Sequence, residues 1–124
     1  MTANDFEKYV LDTFKIAPDH PFEDVPPPAV FRHKDNRKWF ALIMTISKRR
    51  LGINSDELID VVNLKCPTEI IDSIWQENGI FPAYHMNKAH WITACLDGSA
   101  SDELILWLLE ISHELTKTKK RVKK

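Results

Sequence analysis

The chain has 124 residues, of which 44% are hydrophobic and 28% charged, with a formal net charge of −1. That is enough for one domain with a single core, and with only three glycines and no low-complexity stretch it excludes long disordered segments. The charge is uneven: residues 117–124 hold six of the 17 Lys and Arg, so residues 1–116 set eleven cations against all 18 acids, about −7. A uniformly basic nucleic-acid surface is excluded, which leaves a local patch or the tail. Two cysteines, Cys66 and Cys95, without CxxC spacing supply neither a disulfide framework nor a zinc set. The N-terminus is polar and acidic, unlike a signal peptide, and no apolar run approaches the ~20 residues of a membrane span. The expectation is a cytoplasmic monomer without a membrane partner, one domain over 1–116 and a basic tail over 117–124.

Thr2 with Asp5 three residues on opens a first helix reaching about Phe14, striped by Phe6, Val10 and Phe14. Residues 15–28 hold five of the seven prolines and read as extended and irregular. Residues 29–33 form a strand, Lys34-Asp35-Asn36-Arg37 a polar turn, and 38–47 a longer strand. That strand is apolar on both alternating faces and so belongs at the centre of a sheet. Lys48-Arg49-Arg50 begins a basic loop. Residues 57–65 give a third strand with Val62 and Leu64 inward and Asn63 and Lys65 outward. Pro67 starts a second helix that Asn78-Gly79 stops. Residues 81–85 and 90–96 then make a hairpin with His85 and His90 at its shoulders and Asn87 in its turn. Ser99 with Asp102 caps a last helix striped by Leu104, Leu108, Ile111 and Leu115. The order α-β-β-β-α-β-β-α with short turns predicts an α+β fold, an antiparallel β-sheet with helices in two layers.

The densest chemistry is Tyr84-His85-Met86-Asn87-Lys88-Ala89-His90-Trp91. His85 and His90 facing each other could hold a metal, yet a third or fourth ligand is not in view, and a hydrogen-bonded structural histidine is the simpler account. A Cys-His nucleophile needs a thiol within reach of a base, which spacing alone does not show. Without a Gly-rich phosphate loop no nucleotide cofactor is expected, and with no recognised catalytic motif the chain reads as a non-enzyme with no cofactor or metal. Lys34 and Arg37 on one tip, Lys48, Arg49 and Arg50 on a loop, and Asn87 and Lys88 on another tip are the groups that could reach a phosphate backbone. Trp91, Thr93 and Cys95 share the strand face opposite Ile92 and Ala94. If helices cover only one sheet face, Trp91 is exposed and marks a contact site for a partner; if they cover both, it is core, the usual place of a large aromatic.

Asp60-Val61-Val62-Asn63-Leu64-Lys65-Cys66 and Phe81-Pro82-Ala83-Tyr84-His85-Met86-Asn87-Lys88-Ala89-His90-Trp91-Ile92-Thr93, ending in Leu96-Asp97-Gly98, resemble the MmcQ/YjbR family of small bacterial cytoplasmic proteins. The His-x-Asn-Lys-x-His-Trp stretch is the most specific part. The resemblance implies a secretion-chaperone-like antiparallel sheet with helices, and DNA binding through a double-winged arrangement of hairpins. On that reading Lys34, Arg37, Lys48, Arg49 and Arg50 contact phosphates, and His85, Asn87 and Lys88 stand nearest the DNA. His90 and Trp91 support their hairpin. The alternatives are a protein- or peptide-binding adaptor using the sheet face near Trp91, and a metal- or thiol-dependent enzyme.

Overall fold

The computed structural model describes residues 1–119. Residues 120–124, the greater part of the expected tail, lie outside the described residues. Helix α1 spans Ala3–Phe14. Its start is the reciprocal box read from the sequence: Asp5 N donates to Thr2 Oγ1 at 3.1 Å and Thr2 N to Asp5 Oδ2 at 2.9 Å, an arrangement worth about 1 kcal/mol. Its end is Lys15 in the left-handed region, and Lys15 Nζ turns back onto Asp12 O at 2.8 Å.

Strands β1 (Ala29–Arg32), β2 (Trp39–Ser47), β3 (Leu58–Lys65), β4 (Ile80–Pro82) and β5 (Trp91–Cys95) form one sheet in the order β1-β2-β3-β5-β4. Every neighbouring pair is antiparallel. Helices α2 (Thr68–Ile74) and α3 (Asp102–Thr116) complete the chain order that the sequence predicts. All three helices bury side chains in the same core as Phe31, Ile43, Leu64 and Ile92, so they lie on one face of the sheet. The opposite face holds a second, smaller core of Val30, Leu42, Met44, Ile46, Ile59, Val61 and Cys95. β2 is thus apolar on both faces, as expected, but only one face is covered by helices. Loops cover the other.

Four local readings change. Asn63 is not outward to solvent: it is fully buried, because its face is this second core. The last helix is capped by Ser101, whose Oγ accepts from Leu104 N at 3.1 Å, while Ser99 bonds Asp97 instead. Its inward stripe is Ile105, Leu108, Leu109, Ser112 and Thr116, whereas Leu115 is 42% exposed. The rotation has a polar cause. Ser112 Oγ donates to Phe40 O at 2.6 Å and accepts from Lys65 N at 2.9 Å, satisfying sheet groups that a leucine would leave unpaired. Helix α2 ends at Ile74, before Asn78-Gly79. Gly79 at φ +77° serves the turn into β4, where a Cβ would stand 2.5 Å from Ala100 N.

Candidate functional site

The expected hairpin over 81–96 is much shorter in its strands, and its connection, residues 83–90, does not project as a wing. It folds over the helix-free face. Asn63 and Thr93 are direct cross-strand partners on that face and both are fully buried. Thr93 Oγ1 donates to Asn63 Oδ1 at 2.6 Å. Asn63 Nδ2 donates to Tyr84 O at 2.8 Å, and Tyr84 N donates to Thr93 Oγ1 at 3.0 Å. Both backbone groups of Tyr84 are thereby held by the sheet beneath, and every polar atom of the cluster has a partner.

The rest of the loop closes on itself. Lys88 Nζ donates to Ala83 O at 2.9 Å. Asn87 makes its expected turn, with Oδ1 accepting from Ala89 N at 2.8 Å and its carbonyl from Trp91 N at 2.9 Å. The left-handed residue is nevertheless His85, at φ +62°. His90 Nδ1 lies 3.2 Å from Thr68 Oγ1, and the His90 carbonyl accepts from Cys66 N at 2.8 Å. His90 therefore ties the loop to the start of α2 and does not face His85 as one of two shoulders. Trp91 is half-buried beside Lys65 on the helix-free face.

Between this loop and the proline-rich segment lies an apolar groove of about 270 Å³, floored by Leu42 and Met44 and walled by Phe22, Trp39 and Met86, with His85 and Asp24 at the rim. It does not include Trp91. Among the described residues no group of three or more His, Cys, Asp or Glu side chains is placed to hold a metal. Cys66 and Cys95 are buried, and burial pushes both thiols up to about 11. No helix among the described residues is long and apolar enough to cross a membrane.

The eight residues expected to face DNA separate into groups. Lys34 and Arg37 occupy the β1–β2 turn, at the Trp39 end of β2. Lys48, Arg49 and Arg50 lie at its other end, eight residue steps or ~26 Å away, in a 3-10 helix over Lys48–Leu51 that Ser47 caps, where a loop was expected. Two of these three cations already have acidic partners: Lys48 Nζ lies 2.9 Å from Glu57 Oε1 and Arg49 Nε 2.7 Å from Asp56 Oδ1. Lys88 is folded back on Ala83, and His85 faces the groove.

What sequence reading missed is the company kept by the β1–β2 turn. Asn36 Nδ2 donates to Thr116 O at 2.9 Å and His33 Nε2 lies 2.8 Å from Thr116 Oγ1. The C-terminal end of α3 is thereby docked on the turn, which brings Lys117 and Lys119 to the same pole as Lys34, Arg37 and Lys38. Lys15 and Arg32 adjoin them around a cleft. The carboxylates here are Asp19, Asp35 and Glu114. Arg32 Nε and Arg37 Nη2 lie 2.9 and 3.4 Å from Asp19 Oδ2, and Glu114 pairs with Lys117. Beneath the pole His33 and His113 pack with ring centroids 4.5 Å apart, and His113 stacks on Phe14 at 4.0 Å. Burial holds both imidazoles below the ordinary histidine range.

A helix-backed antiparallel sheet with a loop-covered second face and one basic pole defines a small α+β protein. The YjbR family model matches residues 11–115, and the chain belongs to that family. It is similar to the uncharacterized protein YyaQ of Bacillus subtilis, with 40% identity over 94% of this chain and 99% of YyaQ. Escherichia coli YjbR is 39% identical over 43% of this chain and 46% of its own length. A crystal structure of a Pseudomonas syringae protein, 45% identical, superposes with a TM-score of 0.91, covering 94% of this chain and 100% of that one. A Deinococcus radiodurans protein with a DUF419 domain, 30% identical, does so at 0.69, covering 98% and 83%.

Proposed function

We propose that the chain binds DNA through the pole built by the β1–β2 turn and the end of α3, with no catalysis. The observation that carries this reading is the docking of Thr116 on His33 and Asn36. It gathers Lys34, Arg37, Lys38, Lys117 and Lys119, far apart in sequence, at one end of a chain whose residues 1–116 are otherwise acidic. Such an uneven charge orients the molecule toward a polyanion before contact, and released counterions then supply affinity. The reading leaves out residues 48–50, which lie at the far end of the sheet and two of whose three cations, Lys48 and Arg49, pair with Glu57 and Asp56. The buried, protonated thiols favour the non-catalytic reading.

Fluorescence anisotropy of a labelled random duplex at about 50 and about 200 mM salt tests this, because phosphate contacts weaken over that range. The expected affinity falls steeply with salt. The triple variant Lys34→Ala/Arg37→Ala/Lys38→Ala lowers the magnitude of the salt slope by about 2–3, at ~0.9 per lost contact. Arg49→Ala/Arg50→Ala leaves it unchanged. A chain ending at Thr116 separates the turn's contribution from that of the residues beyond it. Absence of binding at the lower salt, or a loss seen only in the Arg49/Arg50 variant, refutes the reading.

A second reading, a protein- or peptide-binding adaptor, is favoured by the apolar groove on the helix-free face, where Phe22 is 40% exposed. It predicts that the native chain binds a fluorescent apolar dye and that Phe22→Ser abolishes this; a native chain that leaves the dye dark counts against it.

A further inference from the structure

We infer that the cleft beside the β1–β2 turn takes a terminal phosphate monoester of a DNA strand. This rests on the DNA-binding reading above and names the part of the nucleic acid that the pole engages. The cleft, about 320 Å³, is lined by Lys15, Arg32, Lys34 and Arg37 with a single carboxylate, Asp19. Three of these cations, Arg32, Lys34 and Arg37, come from one six-residue stretch at the end of β1 and in its turn, where Arg37 stands at φ +63°. The fold adds Lys15, from the left-handed cap of α1.

Asp19 keeps the cleft in shape. Its backbone pairs with Val30 in both directions at 2.8 Å, so its carboxylate is held at a fixed place between Arg32 and Arg37. The Arg32 Nε–H, 2.9 Å from Asp19 Oδ2, is not aligned with it for a hydrogen bond. Lys15 lies at the negative end of α1, and by donating to Asp12 O it offsets the carbonyls that would repel an anion there. Four cations against one carboxylate leave an excess that suits a dianion.

The concavity selects the kind of phosphate. A phosphodiester within a strand carries one charge and is flanked by a nucleoside on each side, which suits a convex tip. A terminal monoester carries about −1.5 to −2 near neutral pH and has three free oxygens. It is flanked on one side only, so it can point inward, where guanidinium groups bind it by paired, charge-assisted hydrogen bonds. Leu11, 49% exposed, and Ile16 supply an apolar wall against which the terminal sugar and base would rest.

The test is an anisotropy titration of one internally labelled duplex prepared with 5′-phosphate, 3′-phosphate or hydroxyl ends, at about 100 mM salt. One phosphorylated form is expected to bind about tenfold tighter than the hydroxyl form, an effect the size of a charge-assisted contact; which one identifies the end recognised. Lys34→Ala, at an exposed position, reduces that preference below about twofold with an unchanged circular dichroism spectrum. Lys38→Ala, on the same pole but outside the cleft, weakens all forms alike and keeps the ratio. Equal, salt-dependent binding of all three ends overturns the cleft and leaves the DNA reading standing. So does a preference that survives Lys34→Ala or is lost equally in Lys38→Ala. No binding of any end overturns both.

Discussion

Replacing Thr93 by Val keeps the shape and β-propensity of a buried strand residue and removes one hydroxyl. In this chain that hydroxyl is the hub of the cluster: it donates to Asn63 Oδ1 and accepts from Tyr84 N. Its loss leaves a buried side-chain oxygen and a mostly covered backbone N–H without partners. Each orphan costs about 1–2 kcal/mol, so the expected destabilisation is about 2–4 kcal/mol. In a chain of this size that lowers Tm by roughly 10 °C. Urea unfolding followed by circular dichroism would measure it, with the midpoint displaced and the slope unchanged. In Asn63→Leu/Thr93→Val the loss should be smaller than the sum of the two single losses, because the orphaned Asn63 oxygen goes with its partner. A loss below about 0.5 kcal/mol for Thr93→Val would mean that residues 83–90 are not held to the sheet through Tyr84, and the account of the loop would fail.

The His33–His113 pair predicts a pH dependence. Both imidazoles sit below the ordinary value of 6.5 in the folded chain because burial penalises their charge, the neighbouring imidazole adding to the effect on His113 and Asp35 opposing it at His33. Below about pH 6.5 the unfolded chain therefore binds more protons than the folded one, and stability falls as pH drops, while above it these groups contribute no slope. His113→Phe, which retains the stack on Phe14, should flatten the dependence of the urea midpoint between about pH 5 and pH 7; an unaltered slope would count against the pair as its source. Gly79→Ala combines a backbone angle unfavourable for a side chain with a Cβ 2.5 Å from Ala100 N. The expected loss is about 2–3 kcal/mol, read from the same denaturation curve, and a loss under about 1 kcal/mol would show that the α3 entry can move aside.

Which features were legible in the sequence follows from the range of the forces behind them. The Thr2–Asp5 box spans three residues, so its pattern carries its own cause. The element order was legible for a similar reason: proline runs, polar turns and apolar stretches are local. Asn63 was misread because alternation tells the two faces of a strand apart but not what covers the second one. Its burial depends on Thr93 and Tyr84, 30 and 21 residues away. Ser112 and Thr116 were missed in the same way, since a polar residue reads as outward until the sheet groups it satisfies are known. The basic pole was legible only as scattered cations. Lys34 and Arg37 belong to one hairpin and Lys117 and Lys119 follow the end of a distant helix, and the contact between Asn36 and Thr116 that unites them spans 80 residues.

The unequal covering of the two sheet faces also sets how the molecule opens. The helix side is closed by three regular elements whose amides are bonded within themselves, whereas the other side is closed by loops resting on a few side-chain hydrogen bonds. Residues 83–90 can therefore lift in a partial excursion that leaves the helix-side core assembled, at a free energy well below that of global unfolding. Native-state hydrogen exchange should divide the amides accordingly. Those of β2 and β3 would exchange only through complete unfolding, and that of Tyr84 through the smaller opening. The groove beneath the loop would widen in the same event, so its capacity is governed by an equilibrium within the native ensemble as well as by its closed shape.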